Sequence, residues 1–236
     1  MAACPKLGWL GMVVALAGCD LDDDDDDRPI VPISVAPTID TNVVTGRVCR
    51  VTNLTDLALC SSLDVDNLTI EFAGSTATTL ADGSFAITAP TTSDSIAVAG
   101  ATTTPTLSPF PGSAFNPFVP VVDADVFARV FTSNNILQAP NTGTVLAFVQ
   151  RNGVPVSGVF ARTVPVSTVS APLFDGVTSE VFTIGGTGPR GVILAPGLVP
   201  GGTQVILTDS TGSFELVLDP VRVLENGVTI VNAELP

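Results

Sequence analysis

The hydrophobic and polar positions of this chain alternate over short segments that are separated by Gly, Pro, Asn or Asp. Residues 68–72 (LTIEF) put Leu68, Ile70 and Phe72 on one face of an extended segment, and residues 214–218 (FELVL) repeat the arrangement. A period of two is typical of a β-strand with one buried face. The pattern therefore predicts a mainly β protein of antiparallel sandwiches.

Several segments share this strand character and are rich in the β-branched residues that favour sheets. Asp82-Gly83 precedes a strand and predicts a hairpin, and Asn152-Gly153 predicts a second tight turn. The predicted strands are 43–51, 68–72, 85–87, 96–98, 143–150, 204–208, 214–218 and 228–231.

Residues 124–132 (ADVFARVFT) depart from this pattern, because their apolar positions have helical spacing. Asp123 stands directly before them and is a good N-cap residue. We expect one short amphipathic helix that packs its apolar face against the rest of the protein rather than against a partner. The apolar positions are Val126, Phe127, Val130 and Phe131.

The first residues have the features of a secretory signal. Lys6 precedes a short apolar run, residues 7–17 (LGWLGMVVALA), which is too short to span a bilayer comfortably. Residues 16–19 (LAGC) resemble the lipobox of bacterial lipoproteins at all four positions. The resemblance implies cleavage before Cys19 and attachment of lipid, including palmitate-type acyl chains, to that residue. An ordinary signal peptide that happens to contain a cysteine is the alternative.

Aspartates follow Cys19 almost without interruption up to Asp27. Such a run repels itself and anionic head groups, so we expect residues 19–40 to be a disordered acidic tether, stiffened by prolines. A divalent-cation site is the alternative, but the run lacks the spaced Gly and carbonyl ligands of a calcium loop. In lipoproteins, acidic residues after the Cys also act as sorting signals, and their meaning differs between bacterial groups.

The remainder of the sequence is long enough for two domains of ordinary β-sandwich size. Gly-Ser-Phe recurs at 83–85 and 212–214, and Thr-Gly-x-Val recurs at 45–48 and 142–145, which indicates a duplication. The predicted organisation is a signal peptide (1–18), a lipidated Cys and tether (19–40), a first sandwich (41–122), a helix and linker (123–140) and a second sandwich (141–236).

The motifs TGRV, LTIEFAG and TLADGSFAI in the first half resemble carboxypeptidase regulatory-like, or transthyretin-like, β-sandwich domains. The second half is similar through GTVLAFVQRNGVPVSGV and TGPRGVILAPGLVPG. The resemblance implies non-catalytic accessory, adhesive or stalk modules, and fold alone does not determine function. The first half departs from the family pattern at Cys49, Asn53 and Cys60, which leaves its strand register open.

The composition excludes several kinds of chemistry. The protein has no His or Tyr, and its only Lys, Trp and Met residues lie within the predicted signal. Ser-His and Cys-His nucleophiles, Schiff-base lysines and imidazole metal ligands are therefore absent from the mature protein. Nine Lys and Arg against 23 Asp and Glu give a net charge of −14, which argues against nucleic acid as a partner.

Two cysteines remain after Cys4 is removed with the signal and Cys19 receives lipid. Disulfides persist in exported proteins, so we expect a Cys49–Cys60 bridge. Two reduced, buried thiols are the alternative. A redox role is not expected, because the spacing is unlike C-x-x-C.

These observations predict a membrane-anchored, non-catalytic lipoprotein with a structural, adhesive or accessory binding role. The outer membrane or cell surface is favoured over the inner membrane, and another envelope protein or a glycan is the candidate partner. No catalytic, cofactor-binding or metal site is assigned. The alternative is a glycan-active enzyme that uses only carboxylates, for which the pairs Asp64/Asp66 and Asp123/Asp125 are candidates; on an acidic surface most such pairs are solvated.

Residues 105–120 (PTLSPFPGSAFNPFVP) are the candidate ligand loop, because three Phe residues alternate there with Pro. The alternative for this segment is a stiff cover that packs its rings on the core. The three rings are those of Phe110, Phe115 and Phe118.

Overall fold

A computed structural model describes residues 42–89, 93, 95–110 and 118–236. All of these residues lie within one compact unit. The predicted signal peptide, the lipid-bearing Cys19, the acidic tether and Phe115 lie outside the described residues and stay predictions.

The described residues form strands joined by turns, with one helix, so the fold is mainly β, as predicted. Each predicted strand coincides with an observed one, although several observed strands were not predicted. The elements are β1 (Asn42–Val51), β2 (Cys60–Ser61), β3 (Thr69–Phe72), β4 (Ser75–Thr78), β5 (Ser84–Ala89), β6 (Ser95–Ala99), β7 (Thr103–Thr104), β8 (Thr106–Pro109), β9 (Phe118–Asp123), α1 (Ala124–Ser133), β10 (Gly143–Arg151), β11 (Val154–Pro155), β12 (Val159–Val164), β13 (Leu173–Asp175), β14 (Phe182–Thr183), β15 (Val192–Leu198), β16 (Gly201–Asp209), β17 (Glu215–Val223) and β18 (Val228–Glu234).

The strands form three sheets. The first sheet has the order β2-β1-β9-β7, with β5 also paired to β1, and the third has the order β12-β16-β17. The large second sheet has the order β14-β13-β15-β10-β18-β8-β6-β3-β4, with β11 on β10. Most pairs are antiparallel, and the exceptions are β1–β9, β10–β18 and β8–β18.

The second sheet runs through both halves of the sequence. Strand β8 of the first half pairs in parallel with β18 of the second, with Thr106 opposite Val228 and Leu107 opposite Thr229. The division into sandwiches at 41–122 and 141–236 stays a prediction, and in the structure these two stretches share a sheet.

Three clusters of buried side chains lie between the layers. One cluster joins the first sheet to β3 and β6, and includes Ile70 and Phe85. Another joins β10, β15 and β18 to the third sheet, and includes Ala147 and Leu207. The last lies under α1, on the opposite face of β10, and includes Leu146.

The helix has the predicted position and the predicted cap. Asp123 caps α1 because its Oδ1 accepts hydrogen bonds from the backbone N–H groups of Asp125 and Val126, at 2.8 and 3.0 Å. The four apolar residues at helical spacing are buried against the second sheet. The expectation that this face packs within the protein is confirmed.

The prediction of a hairpin at Asp82-Gly83 is wrong, although the backbone does turn there. Strand β4 pairs with β3 in the second sheet, whereas β5 pairs with β1 in the first. Gly83 has φ +77° and lies against Val48 and Val65, and the turn leads the backbone from one layer to the other. The Asn152-Gly153 turn joins a paired hairpin, β10–β11, as expected.

Candidate functional site

Residues 52–59, here called the strap, connect β1 to β2 and lie over one face of the second sheet. Cys49 and Cys60 form a disulfide across the base of the strap, with their Cα atoms 5.6 Å apart, and the expected bridge is confirmed. The backbone N–H of Thr52 donates to the carbonyl of Leu59 at 3.1 Å. Leu54 is almost completely buried among the residues under α1. The strap is therefore fixed at both its base and its centre.

One groove lies beside the strap, between the first and second sheets. Its volume is about 360 Å³, and it is lined by the disulfide, by Leu57 and Ala58 of the strap, and by Pro120 and Ile230. Phe118, at the mouth, is 68% exposed. The lining is mainly apolar and contains no charged side chain.

A second groove lies on the other side of the strap and has a volume of about 490 Å³. Leu57 and Ala58 line both grooves, so the strap forms a wall between them. The floor comes from strands of the second sheet, with Phe148 of β10 opposite Asn232 of β18. The lining here is more polar, and it includes Asp56, Gln150 and Arg190.

A third groove of about 460 Å³ follows α1. It is lined by one side of the helix, by β7 and by the turn at Asn226-Gly227. Its polar groups are neutral hydroxyls and amides, and the helix contributes Phe127 and Phe131. Grooves of these volumes are large enough to accept small ligands or peptide side chains.

Polar contacts tie the β13–β14 hairpin to the strap and to α1. Ser179, in the turn of that hairpin, accepts a hydrogen bond from the amide of Asn53 at 2.6 Å. Glu180 pairs with Arg129 of α1, with Nη2 at 3.0 and 3.2 Å from the two carboxylate oxygens. Asn134 donates to the carbonyl of Glu180 and accepts from the N–H of Phe182. The strap and the helix are thereby joined to residues far away in sequence.

A half-buried ion pair joins the end of β1 to the N-cap of α1. Arg50 Nε lies 2.5 Å from Asp123 Oδ2, and the side chains of Arg50 and Asp123 are 14% and 13% exposed. Burial acts to raise the pKa of Asp123. The N–H of Val126 and the Arg50 guanidinium outweigh that effect, so the pKa lies below its ordinary value. Asp123 is thus a helix cap and ion-pair partner and remains ionised.

The carboxylate pairs suggested as catalytic do not converge on a groove. Asp64 is 83% exposed and lies 3.6 Å from Arg50 Nη1, while Asp66 and Asp125 are exposed. The expectation that these pairs are solvated is wrong for Asp123, because its carboxylate pairs with Arg50 and caps the start of α1. Its acceptor sites are occupied by structural partners.

Two parts of the candidate ligand loop at residues 105–120 are strand. Residues 106–109 form β8 and residues 118–120 begin β9. The ring of Phe110 is buried and meets Phe72 edge-on at 5.2 Å, as the cover alternative expected. Phe118 is exposed at the apolar groove, so the rings have different environments.

The sequence reasoning missed Asp175, a carboxylate that is 1% exposed. Its Oδ1 accepts from the N–H groups of Gly188 and Val192 at 2.9 and 2.8 Å, and its Oδ2 accepts from the N–H of Arg190 at 2.8 Å. These bonds position residues 188–192, which form one side of the polar groove. The only available signal was an acidic residue within an otherwise apolar strand.

The repeated Gly-Ser-Phe segments are similar in structure as well as in sequence. In each, an aspartate shortly before the segment accepts from its serine. The hydroxyl and N–H of Ser84 lower the pKa of Asp82. The hydroxyl of Ser213, together with the Thr211 hydroxyl and backbone N–H groups, lowers the pKa of Asp209 to about 2. Asp82 is exposed and Asp209 is half-buried, and neither lines one of the three grooves, so these contacts shape turns.

The described residues contain neither a cluster of metal-ligating side chains nor a membrane-spanning helix. Within this part of the protein, no group of three His, Cys, Asp or Glu side chains is placed to bind a metal ion. The same residues include no helix long and apolar enough to cross a membrane.

No protein-family model and no curated protein matches the sequence. The resemblance to carboxypeptidase regulatory-like domains therefore stays a prediction. Among solved structures, the shaft pilin SpaA from Lactobacillus rhamnosus GG is 10% identical, covers 83% of this protein and 100% of its own length, and has a TM-score of 0.24. A streptococcal ancillary pilin is 12% identical over 85% of this protein and 64% of its own length, with a TM-score of 0.21. No inference about this protein is drawn from similarities this low.

Proposed function

We propose that this protein is a non-catalytic lipoprotein of a bacterial cell envelope, with a structural, adhesive or accessory binding role. In this proposal lipid on Cys19 attaches the protein to the outer membrane or the cell surface. The acidic tether separates the membrane from the β-structured residues, which present the grooves beside the strap to another envelope protein or a glycan.

The main support is the LAGC sequence at residues 16–19, followed directly by aspartates. Two or three acyl groups on a protein give nearly permanent membrane attachment, because each buried CH₂ contributes about 0.8 kcal/mol. The Cys49–Cys60 disulfide adds support, since disulfides persist in exported proteins and are rare in the cytosol. The firmly positioned strap also gives the described residues concave surfaces of the size that ligands occupy.

The alternative, a glycan-active enzyme using carboxylates alone, would need two carboxyl groups facing each other in a cleft. The three grooves described above contain a single carboxylate among their lining residues, Asp56. These grooves therefore provide no support for the alternative.

Replacement of Cys19 tests the anchor. Cys19→Ser should abolish incorporation of labelled palmitate and move the protein from the detergent phase to the aqueous phase, or leave an uncleaved precursor. Cys4→Ser is the matched control, because Cys4 lies within the segment that cleavage removes, and it should be acylated normally. Normal acylation of Cys19→Ser would contradict the proposal.

A further inference from the structure

The tripeptide Asn-Gly-Val occurs twice in the sequence, at residues 152–154 and 226–228. Each copy forms a turn that leads into a strand, β11 or β18. The two asparagines also have nearly the same left-handed backbone, with φ +52° at Asn152 and +51° at Asn226. The two copies therefore have the same local sequence and nearly the same asparagine conformation, but they differ in their tertiary surroundings.

The first copy is open to solvent. Asn152 and Gly153 are exposed, Val154 is 64% exposed, and a Cβ added at Gly153 would meet no atom within 4 Å. The carboxamide group of Asn152 makes no hydrogen bond to the described residues. The contact of this turn with the rest of the sheet is the backbone N–H of Asn152, which donates to the carboxylate of Glu234.

The second copy is held in the fold. Gly227 is buried, and a Cβ there would lie 2.7 Å from the carbonyl oxygen of Pro105. Its N–H donates to the carbonyl of Leu224 at 3.3 Å, and Oδ1 of Asn226 accepts from the N–H of Asn141 at 3.3 Å. Val228 is 1% exposed and is bonded through its N–H to Pro105 at 2.8 Å.

We propose that Asn152 is a site of spontaneous deamidation and that Asn226 is protected from the same reaction by the fold. The backbone nitrogen of Gly153 loses its proton and attacks Cγ, the carboxamide carbon of Asn152. The new N–Cγ bond forms as the bond between Cγ and Nδ2 breaks, and ammonia leaves with that proton to give a cyclic imide. Water then opens the imide to aspartate or isoaspartate, so the net change is the exchange of NH₂ for OH with no redox step.

The surroundings decide which copy reacts, because the attacking nitrogen must be unbonded and the turn must open to bring it to Cγ of the asparagine. Opening an exposed turn at the end of a hairpin costs little free energy, whereas moving Gly227 breaks hydrogen bonds and packing next to β18. Glycine allows the attack in both copies, since it has no side chain to hinder the nitrogen. The difference in rate therefore reports the tertiary structure.

The product has a predictable effect on the sheet. A carboxylate at residue 152 stands near the carboxylate of Glu234, which receives the backbone N–H of the same residue. Two neighbouring carboxylates repel each other, so the end of the β10–β18 pair, where Gln150 lies opposite Glu234, is weakened. The isoaspartate product also adds one backbone carbon to a two-residue turn, which disturbs the pairing of Arg151 with Val154.

The test is to incubate the whole purified protein at mildly alkaline pH and to map deamidation by mass spectrometry. Trypsin cuts after arginine, so Asn152 is recovered in the peptide 152–162 and Asn226 in the peptide 223–236. We expect Asn152 to convert at least about tenfold faster than Asn226, the ratio that corresponds to a difference of only ~1.4 kcal/mol in the free energy of opening.

Two controls make the result decisive. In denaturant, with the disulfide reduced, the copies should convert at similar rates, because their tripeptides are identical. Asn152→Gln should abolish the more acidic form of the folded protein that isoelectric focusing detects, whereas Asn226→Gln should leave it unchanged. Equal rates at both sites in the folded protein, or faster conversion of Asn226, would overturn the proposal, as would an unmodified Asn152 under conditions in which the denatured protein reacts.

Discussion

Strands β3 and β10 belong to the same sheet but bury their residues differently. In β3, Ile70 and Phe72 are buried while Thr69 and Glu71 are exposed. In β10, residues 143–149 are all buried. The reason is the number of layers, because β3 is covered on one face by the first sheet, whereas β10 lies between the third sheet and the layer of α1 and the strap.

This difference shows that strand patterns report the layers above and below a strand, as well as its own conformation. A strand with one covered face can carry charge on the other face. A strand between two layers needs apolar or small residues at every position, and Leu146 and Ala147 of β10 pack into different clusters. Substitutions should therefore have opposite tolerance patterns in the two regions.

The largest effect is expected from a charge placed between the layers. Ala147→Asp would bury an unpaired carboxylate and should destabilise the fold by about 3–5 kcal/mol. Urea unfolding monitored by far-UV circular dichroism would measure this change. Glu71→Asp is the control and should change the free energy of unfolding by less than about 0.5 kcal/mol. Similar effects at both positions would contradict the layer argument.

Asp175 is an informative exception, because it is a charge that the layered region does bury. Asp175→Ala removes the acceptor for three backbone N–H groups, and we expect a loss of about 3 kcal/mol in the free energy of unfolding. Asp175→Asn should lose less, since one oxygen remains to accept from Gly188 and Val192. A loss below about 1 kcal/mol for the alanine variant would show that these N–H groups find other acceptors.

The disulfide should contribute to the strap side of the fold. Replacing both Cys49 and Cys60 by Ala should lower the free energy of unfolding by roughly 2–3 kcal/mol, because the unfolded state is no longer cross-linked. Hydrogen exchange should increase in the strap more than in β10 and β15. Added reductant should destabilise the natural protein and leave the double variant unchanged, and an equal response of the two would contradict this role.

The smallest effects are expected at the two Gly-Ser-Phe turns. One leads into β5 of the first sheet, which covers β3, and the other joins β16 to β17 of the third sheet, which covers β10. Ser213→Ala should raise the pKa of Asp209 from about 2 towards its ordinary value, and Ser84→Ala should raise the pKa of Asp82. Because the pKa of Asp209 is lowered in the folded state, its stabilising contribution is present above about pH 4 and is lost as the pH falls towards about 2. NMR titration of each carboxyl carbon measures these values. An unchanged titration of Asp209 in Ser213→Ala would contradict the assignment of the serine hydroxyl as the main cause.

The candidate site shows how far sequence reasoning extends here. The bridge between Cys49 and Cys60 could be predicted, because these are the two cysteines outside the predicted signal and lipid site and the predicted export favours disulfides. The strap that they close could not, since its position over the second sheet depends on Leu54 entering a cluster with residues of α1, β10 and β18. Asp175 was missed for a similar reason, because its partners lie 13 to 17 residues later in the sequence.

The sequence alone determined the strand character of the protein, the short helix with its Asp123 cap and the tight turns, because these depend on residues within a few positions of one another. The tertiary structure alone decided which strands share a sheet. Alternation cannot distinguish a hairpin at Asp82-Gly83 from a crossing between layers, since both bury the same face of β5. The parallel pairing of β8 with β18, which joins the halves into one sheet, likewise depends on contacts between residues more than 100 positions apart, and no local pattern encodes it.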